Sequence, residues 1–271
     1  MLFLNQHRMR FLGVVLGILA IAGVTRTPSA ANSISFEDDF EGCDYKKYSD
    51  VALNKIDQTI RHSGKCSSKI GGDGVKYGKL VASFNPGQTD LWFTAWVFFP
   101  ASFQLPAPGG GMHLWRLMGS DYGTGSVMLD FNIPDRTNFV QLFHFPGNSG
   151  GQEAVKSTSF NPIAGDRKGR WQCWEVHSRL NQPGKSDGLV EFYADGAFVD
   201  SVSGNFRGNS TAPYTVVDVQ SNIGGNDELW PTTSWWYIDD VTVSTARVGC
   251  LPDTGDKNPP SAPKGLQVTS P

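Results

Sequence analysis

The chain has 271 residues, of which 39% are apolar, 12% aromatic and 18% charged, enough for one large domain or two small ones. Its 17 Phe and 8 Trp exclude wholesale disorder, and 31 Gly with 16 Pro argue for many turns rather than long helices. The formal charge is −3, and Arg8, Arg10 and Arg26 all precede residue 32, so the remainder is more acidic still; a nucleic-acid partner would want the opposite sign and is not expected.

At the N-terminus, Arg8 and Arg10 precede an apolar run from Phe11 to Val24, and Ser29-Ala30-Ala31 follows just before Asn32. A basic region, an apolar stretch and a small-residue cleavage site read as a secretory signal peptide over residues 1–31. The run is about 14 residues, short of the ~20 that a bilayer-spanning helix needs. The expectation is therefore a secreted, extracellular protein with no membrane contact after cleavage. Cys43, Cys66, Cys173 and Cys250 all follow that point. An even count in an exported chain reads as two disulfides, with three possible pairings. Of these we expect Cys43–Cys66 and Cys173–Cys250, the second tying the last strand to a central one. No CxxC occurs, so a zinc site or a thioredoxin-like motif is weakly supported.

Residues 32–252 read as one all-β domain. Short apolar and aromatic segments stand between Gly, Pro, Asn and Asp: Leu91–Phe99, Met112–Met118, Val127–Ile133, Phe139–Phe145, Trp171–Leu180, Leu189–Tyr193 and Trp235–Val243. Helical periodicity is absent. The pattern predicts a β-jelly-roll sandwich of two antiparallel sheets. In the segment at 171–180, Trp171, Cys173, Glu175, His177 and Arg179 share one face, and in the next Glu191 and Tyr193 do. These polar stripes would line a groove, or form an ordinary solvated face. Residues 253–271 are poor in apolar side chains and rich in Pro, and read as a linker-like tail.

Certain segments carry a resemblance. They are Asp38-Asp39-Phe40-Glu41-Gly42, His62-Ser63-Gly64, Trp171-Gln172-Cys173-Trp174-Glu175-Val176-His177, and Trp236-Tyr237-Ile238-Asp239-Asp240-Val241 with its continuation to Cys250. Together they resemble the secreted cellulose-induced jelly-roll proteins of cellulolytic fungi. That family is related to glucuronan and alginate lyases within the concanavalin A-like lectin/glucanase fold. The resemblance implies a structural calcium ion between the first and last strands, with Glu41 supplying a carboxylate, Ser63 a backbone carbonyl and Asp239 a further oxygen. Calcium takes six to eight oxygens of these kinds, and a site joining both chain ends would couple metal binding to folding. The family's link from the central strand to the terminal cysteine matches Cys173 and Cys250.

The resemblance also implies an extracellular polysaccharide partner and lyase chemistry on uronic-acid glycans. In β-elimination a base removes the C5 proton, a cationic or amide group neutralises the carboxylate, and an acid protonates the leaving oxygen. The family's His-x-Arg element is not matched, because the corresponding stretch reads Val127-Met128-Leu129-Asp130-Phe131. Other residues must serve, and the candidates are His113, Arg116, Asp130, Gln141, His144, Glu175 and His177. Gln141 and His144 are three apart and fall on opposite faces of a regular strand, as do His113 and Arg116 unless their strand is irregular. Asp130 with Glu175 would make a hydrolase-like acid pair, but the Glu-x-Asp-x-x-Glu signature is absent. Trp115, Tyr122, Arg179, Tyr193 and Trp230 are candidate substrate contacts. Three classes of function remain open: a polysaccharide lyase, a non-catalytic carbohydrate-binding module of the same fold, and a structural or adhesion domain. A monomer is expected.

Overall fold

Alternation of apolar with polar or aromatic side chains sets the strands. In the segment Asp90–Phe98, Leu91, Phe93, Ala95 and Val97 are buried in the core, while Trp92, Thr94, Trp96 and Phe98 take the other face. The computed structural model describes residues 33–71, 78–105, 111–119, 126–131, 139–146, 150–220, 223–224 and 234–250. The expected signal peptide at 1–31 and tail at 253–271 lie outside the described residues, as do Tyr122 and Trp230.

The strands in chain order are β1 (Ile34–Asp38), β2 (Asp50–Ala52), β3 (Lys55–Asp57), β4 (Ser67–Gly71), β5 (Lys79–Gln88), β6 (Asp90–Phe98), β7 (Gly111–Met118) and β8 (Ser126–Phe131). Then follow β9 (Val140–Phe145), β10 (Ala154–Ser157), β11 (Trp171–Arg179), β12 (Gly188–Ala194), β13 (Ala197–Gly204), β14 (Tyr214–Asp218), β15 (Ile223–Gly224) and β16 (Trp235–Ser244). One 3-10 turn, Gly165–Arg167, precedes β11.

The first sheet runs β13-β12-β11-β6-β16-β4-β3, with β1 on β16. The second runs β10-β9-β8-β7-β14-β5-β2, with β15 on β7. All pairings are antiparallel. Both inner faces feed one core, in which Trp174 meets Trp115, Phe160 and Phe192. This is the jelly-roll sandwich expected from the sequence, with strand boundaries within a residue or two for most segments.

Both expected disulfides are present. Cys43–Cys66 pins the N-terminal loop, and Cys173–Cys250 fastens the C-terminal segment across the outer face of the first sheet.

Candidate functional site

Two outer faces carry the sequence candidates, and the structure separates them. On the second sheet, β7 is irregular: its register on β8 shifts between His113 and Trp115. Leu114 and Trp115 are consecutive, yet both are buried in the core. A bulge that turns two neighbours inward leaves His113 and Arg116 on the same outer face. The register agrees, since His113 stands opposite Asp130 and Arg116 opposite Met128, two positions of like parity on β8. Asp130 enters here by backbone register alone.

The same row continues onto β9, where Gln141 pairs with Asp130. His113 and Gln141 thus lie two strands apart, about 10 Å at ordinary sheet spacing. On the other side, Asp218 of β14 stands directly opposite Arg116, between the core residues Val217 and Val219. Next to the polar row lies an apolar flank: Phe143 and Phe145 share the face of Gln141, and Val155 of β10 pairs with Phe143. Phe145 and Val155 are 45% and 46% exposed, open enough to meet the C–H face of a sugar ring. Sequence reading missed this flank, because phenylalanines in a sandwich strand look like core until the parity of β9 is fixed by Val140 and Leu142 facing inward.

Three candidates are buried. Gln141 takes the outer face by parity but is only 2% exposed, so it backs the face rather than opening onto it. Trp115, expected to stack on a sugar, packs at 3% exposure against Phe93 and Trp174 in the core, because the β7 bulge turns it inward. His144 follows the parity of Val140 and Leu142 on a strand with no bulge, so it cannot join Gln141. Its ring stacks on Phe206 at 4.5 Å, and Nδ1 faces the Gln152 carbonyl at 3.2 Å. Burial pushes its pKa down to about 4.

Glu175, His177, Arg179 and Tyr193 do share an outer face, but on the first sheet, away from His113 and Arg116. The groove expected there is filled by the chain itself. The Glu175 carboxylate, fully buried, receives Arg247 Nε at 3.0 Å and Nη2 at 2.6 Å. The same guanidinium sits 4.2 Å over the Tyr193 ring. His177 is held by Glu191 and Asp90, each at 2.8 Å, and stacks on Trp92 at 4.4 Å. Arg179 stays exposed and donates to the Asp187 carbonyl at 3.3 Å. The Asp130–Glu175 acid pair is excluded, because the two residues belong to different sheets.

The expected calcium ligands converge on the turn at 62–65. A bulge in β16 between Asp239 and Thr242, with Asp240 at φ 47°, presents two successive carboxylates to that turn. Asp239 Oδ2 accepts from His62 N at 2.8 Å and Ser63 N at 3.3 Å. Asp240 accepts from Ser63 Oγ at 2.9 Å and meets His62 Nδ1 at 2.6 Å. Glu41 Oε1 accepts from Lys65 N at 2.5 Å, and it lies where a Cβ on Gly64 would stand, 1.7 Å away. Gly64 has φ +51°, so glycine is required there twice over. Burial, and then the neighbouring Asp240 charge, push the Asp239 pKa up to about 9. A cation beside this carboxylate would reverse that shift. The donor set, two carboxylates beside a turn rich in backbone groups, fits a hard oxygen-loving ion. Among the described residues no three Asp, Glu, His or Cys side chains converge on a metal-sized site, so the remaining ligands would be carbonyls and water.

The fold is shared with solved structures. The structure superposes on the cellulose-induced protein Cip1 with a TM-score of 0.55 at 18% identity, covering 79% of this chain and 99% of that one. It has the jelly roll of that protein. An endo-β-1,4-glucuronan lyase from the fungus Trichoderma reesei follows at TM-score 0.56 and 12% identity, with 79% and 96% of the two chains covered. An alginate lyase, vAL-1, from a Chlorella virus matches at TM-score 0.56 and 14% identity, with 79% and 100% covered. At these identities the likeness is one of fold. No protein-family model matches the chain, and no curated protein matches its sequence.

Proposed function

We propose that this protein acts on extracellular polysaccharide through the outer face of β7, β8 and β9, and that it cleaves uronic-acid glycans by β-elimination. The observation that carries the reading is the β7 bulge, which brings His113 and Arg116 to one face beside Gln141. In this scheme Arg116 receives the uronate carboxylate, with the buried Gln141 behind it, spreading its charge so that the C5–H becomes acidic. His113 takes the C5 proton. The carbanion electrons form the C4–C5 double bond as the C4–O bond breaks, and solvent water gives a proton to the leaving oxygen. The flank of Phe143, Phe145 and Val155 holds neighbouring rings by their apolar faces. A calcium ion on Glu41, Ser63 and Asp239 would tie the chain ends together, remote from the reaction.

Binding without cleavage is the second reading, and one observation favours it. Lyases of this kind commonly protonate the leaving group with Tyr, yet the described tyrosines lie elsewhere: Tyr48 and Tyr214 are in the core, Tyr45 bonds Ser68 of β4, and Tyr193 and Tyr237 belong to the first sheet. The test is incubation of the purified protein with glucuronan, alginate, pectate and glycosaminoglycans, reading both unsaturated uronate and retention on the immobilised glycan. Retention with product supports the lyase, retention alone supports the binding module, and neither refutes both.

A further inference from the structure

On the outer face of the first sheet, a pocket of about 280 Å³ opens between the end of β1, the 62–63 turn, β6, β16 and the C-terminal segment at Val248–Gly249. It adjoins the calcium turn and shares His62, Ser63 and Asp240 with it, while Glu41 and Asp239 stand outside its lining. Its walls carry Glu37, Asp38, Asp39 and Asp240, opposed by Lys47 and His62. Lys47 Nζ lies 3.1 Å from Asp38, and His62 faces Asp240. Carboxylates therefore remain in excess.

Two further observations point to a ligand. Thr94 lines the pocket at 4% exposure, and its Oγ1 has no hydrogen-bond partner in the protein. Buried hydroxyls are rarely left so. Beside it is Trp96, whose ring already stacks on His62 at 3.8 Å, an electron-rich surface suited to a cation. The acidic groups do not converge as a metal site does among the described residues; they are spread around a space larger than an ion. Val241 and Val248 add apolar wall.

We propose that this pocket binds an organic ammonium ion of monosaccharide size, an amino sugar with a free amine. The ammonium answers the excess of carboxylate, the hydroxyls answer Thr94 and the acids, and the C–H face meets the valines. The site lies on the other sheet from His113 and Arg116, so its fate is independent of the lyase reading.

The test is a calorimetric or NMR titration of the folded protein with glucosamine hydrochloride near neutral pH, at constant ionic strength and in saturating calcium. Glucose is the neutral control. Saturable binding of glucosamine at least ten-fold tighter than glucose is expected. Thr94→Val should weaken it at least five-fold, and so should Asp39→Asn, which keeps the Oδ1 that accepts the Glu41 N–H. Should Thr94→Val fail to fold, Asp39→Asn decides alone. Equal affinity for glucose, absence of saturable binding, or unchanged binding in the variants would overturn the proposal.

Discussion

Replacing Arg247 by leucine should destabilise the protein strongly while leaving the proposed glycan face untouched. Its guanidinium is the cation paired with Glu175, whose carboxylate is fully buried, through bonds of 3.0 and 2.6 Å. Stripping one partner from a buried pair costs about 3–5 kcal/mol, because the charge left behind has lost both water and its counter-ion. The Arg247 side chain is itself 37% exposed, so water can partly reach the orphaned acid, and the lower end, about 3 kcal/mol, is the expected loss. The contact of the guanidinium with Tyr193 adds about 0.5–1 kcal/mol. Urea unfolding measures the change, with the slope unchanged and the midpoint lowered. The double variant Glu175→Met with Arg247→Leu removes both charges and should recover most of the loss. A loss under about 1 kcal/mol in the single variant would refute the argument from burial. A loss of glycan processing in the stable double variant would return Glu175 to the list of reacting groups.

Other expectations follow from particular groups. His144 is held neutral with a pKa near 4, so the unfolded chain takes up its proton first as pH falls. Its contribution is fully present above pH 6.5 and lost toward pH 4, amounting to about 2 kcal/mol between pH 7 and 5 and about 3 by pH 4. His144→Phe should flatten the acid limb of a stability–pH profile, and an unchanged limb would refute the assignment. If calcium binds at Glu41, Ser63 and Asp239 as proposed, chelation should lower the melting temperature of the wild type, and Asp239→Asn should abolish the calcium-dependent increment. Because the folded pKa of Asp239 is raised to about 9, the chelated wild type should lose stability as pH rises from 4 toward 9, and the asparagine variant should lose less. Paired replacement of Cys173 and Cys250 by alanine opens a loop spanning 77 positions, a change that loop-closure entropy values at about 4.5 kcal/mol.

Much of the fold was legible because alternation is a local signal. The faces of β11 and β12 follow from parity alone, and the Cys173–Cys250 disulfide and the meeting of Glu41, Ser63 and Asp239 at one turn follow from segments that match a known pattern. The site was harder. Parity set His113 against Arg116, and only the bulge that buries Leu114 and Trp115 together reunites them. Parity was right for Gln141 and His144, whose strand is regular. The stripe of Glu175, His177 and Tyr193 looked like a groove because the sequence does not show which segment will lie over a face; Arg247 and Cys250, more than fifty residues on, fill it. Aromatic content misled as well: Trp115 went inward, while Phe143 and Phe145 took the outer face.

The central claim is that the face carrying His113, Arg116 and Gln141 handles uronate. The most direct measurement is the rate of rise in ultraviolet absorbance from unsaturated uronate, for the wild type, His113→Gln and Arg116→Leu, on the glycan that the wild type retains best. The account predicts product with the wild type, a fall in kcat of at least about a hundred-fold with His113→Gln, the usual scale for losing a general base, and a comparable loss with Arg116→Leu. Product formed at the wild-type rate by both variants, with their folding intact, would contradict it.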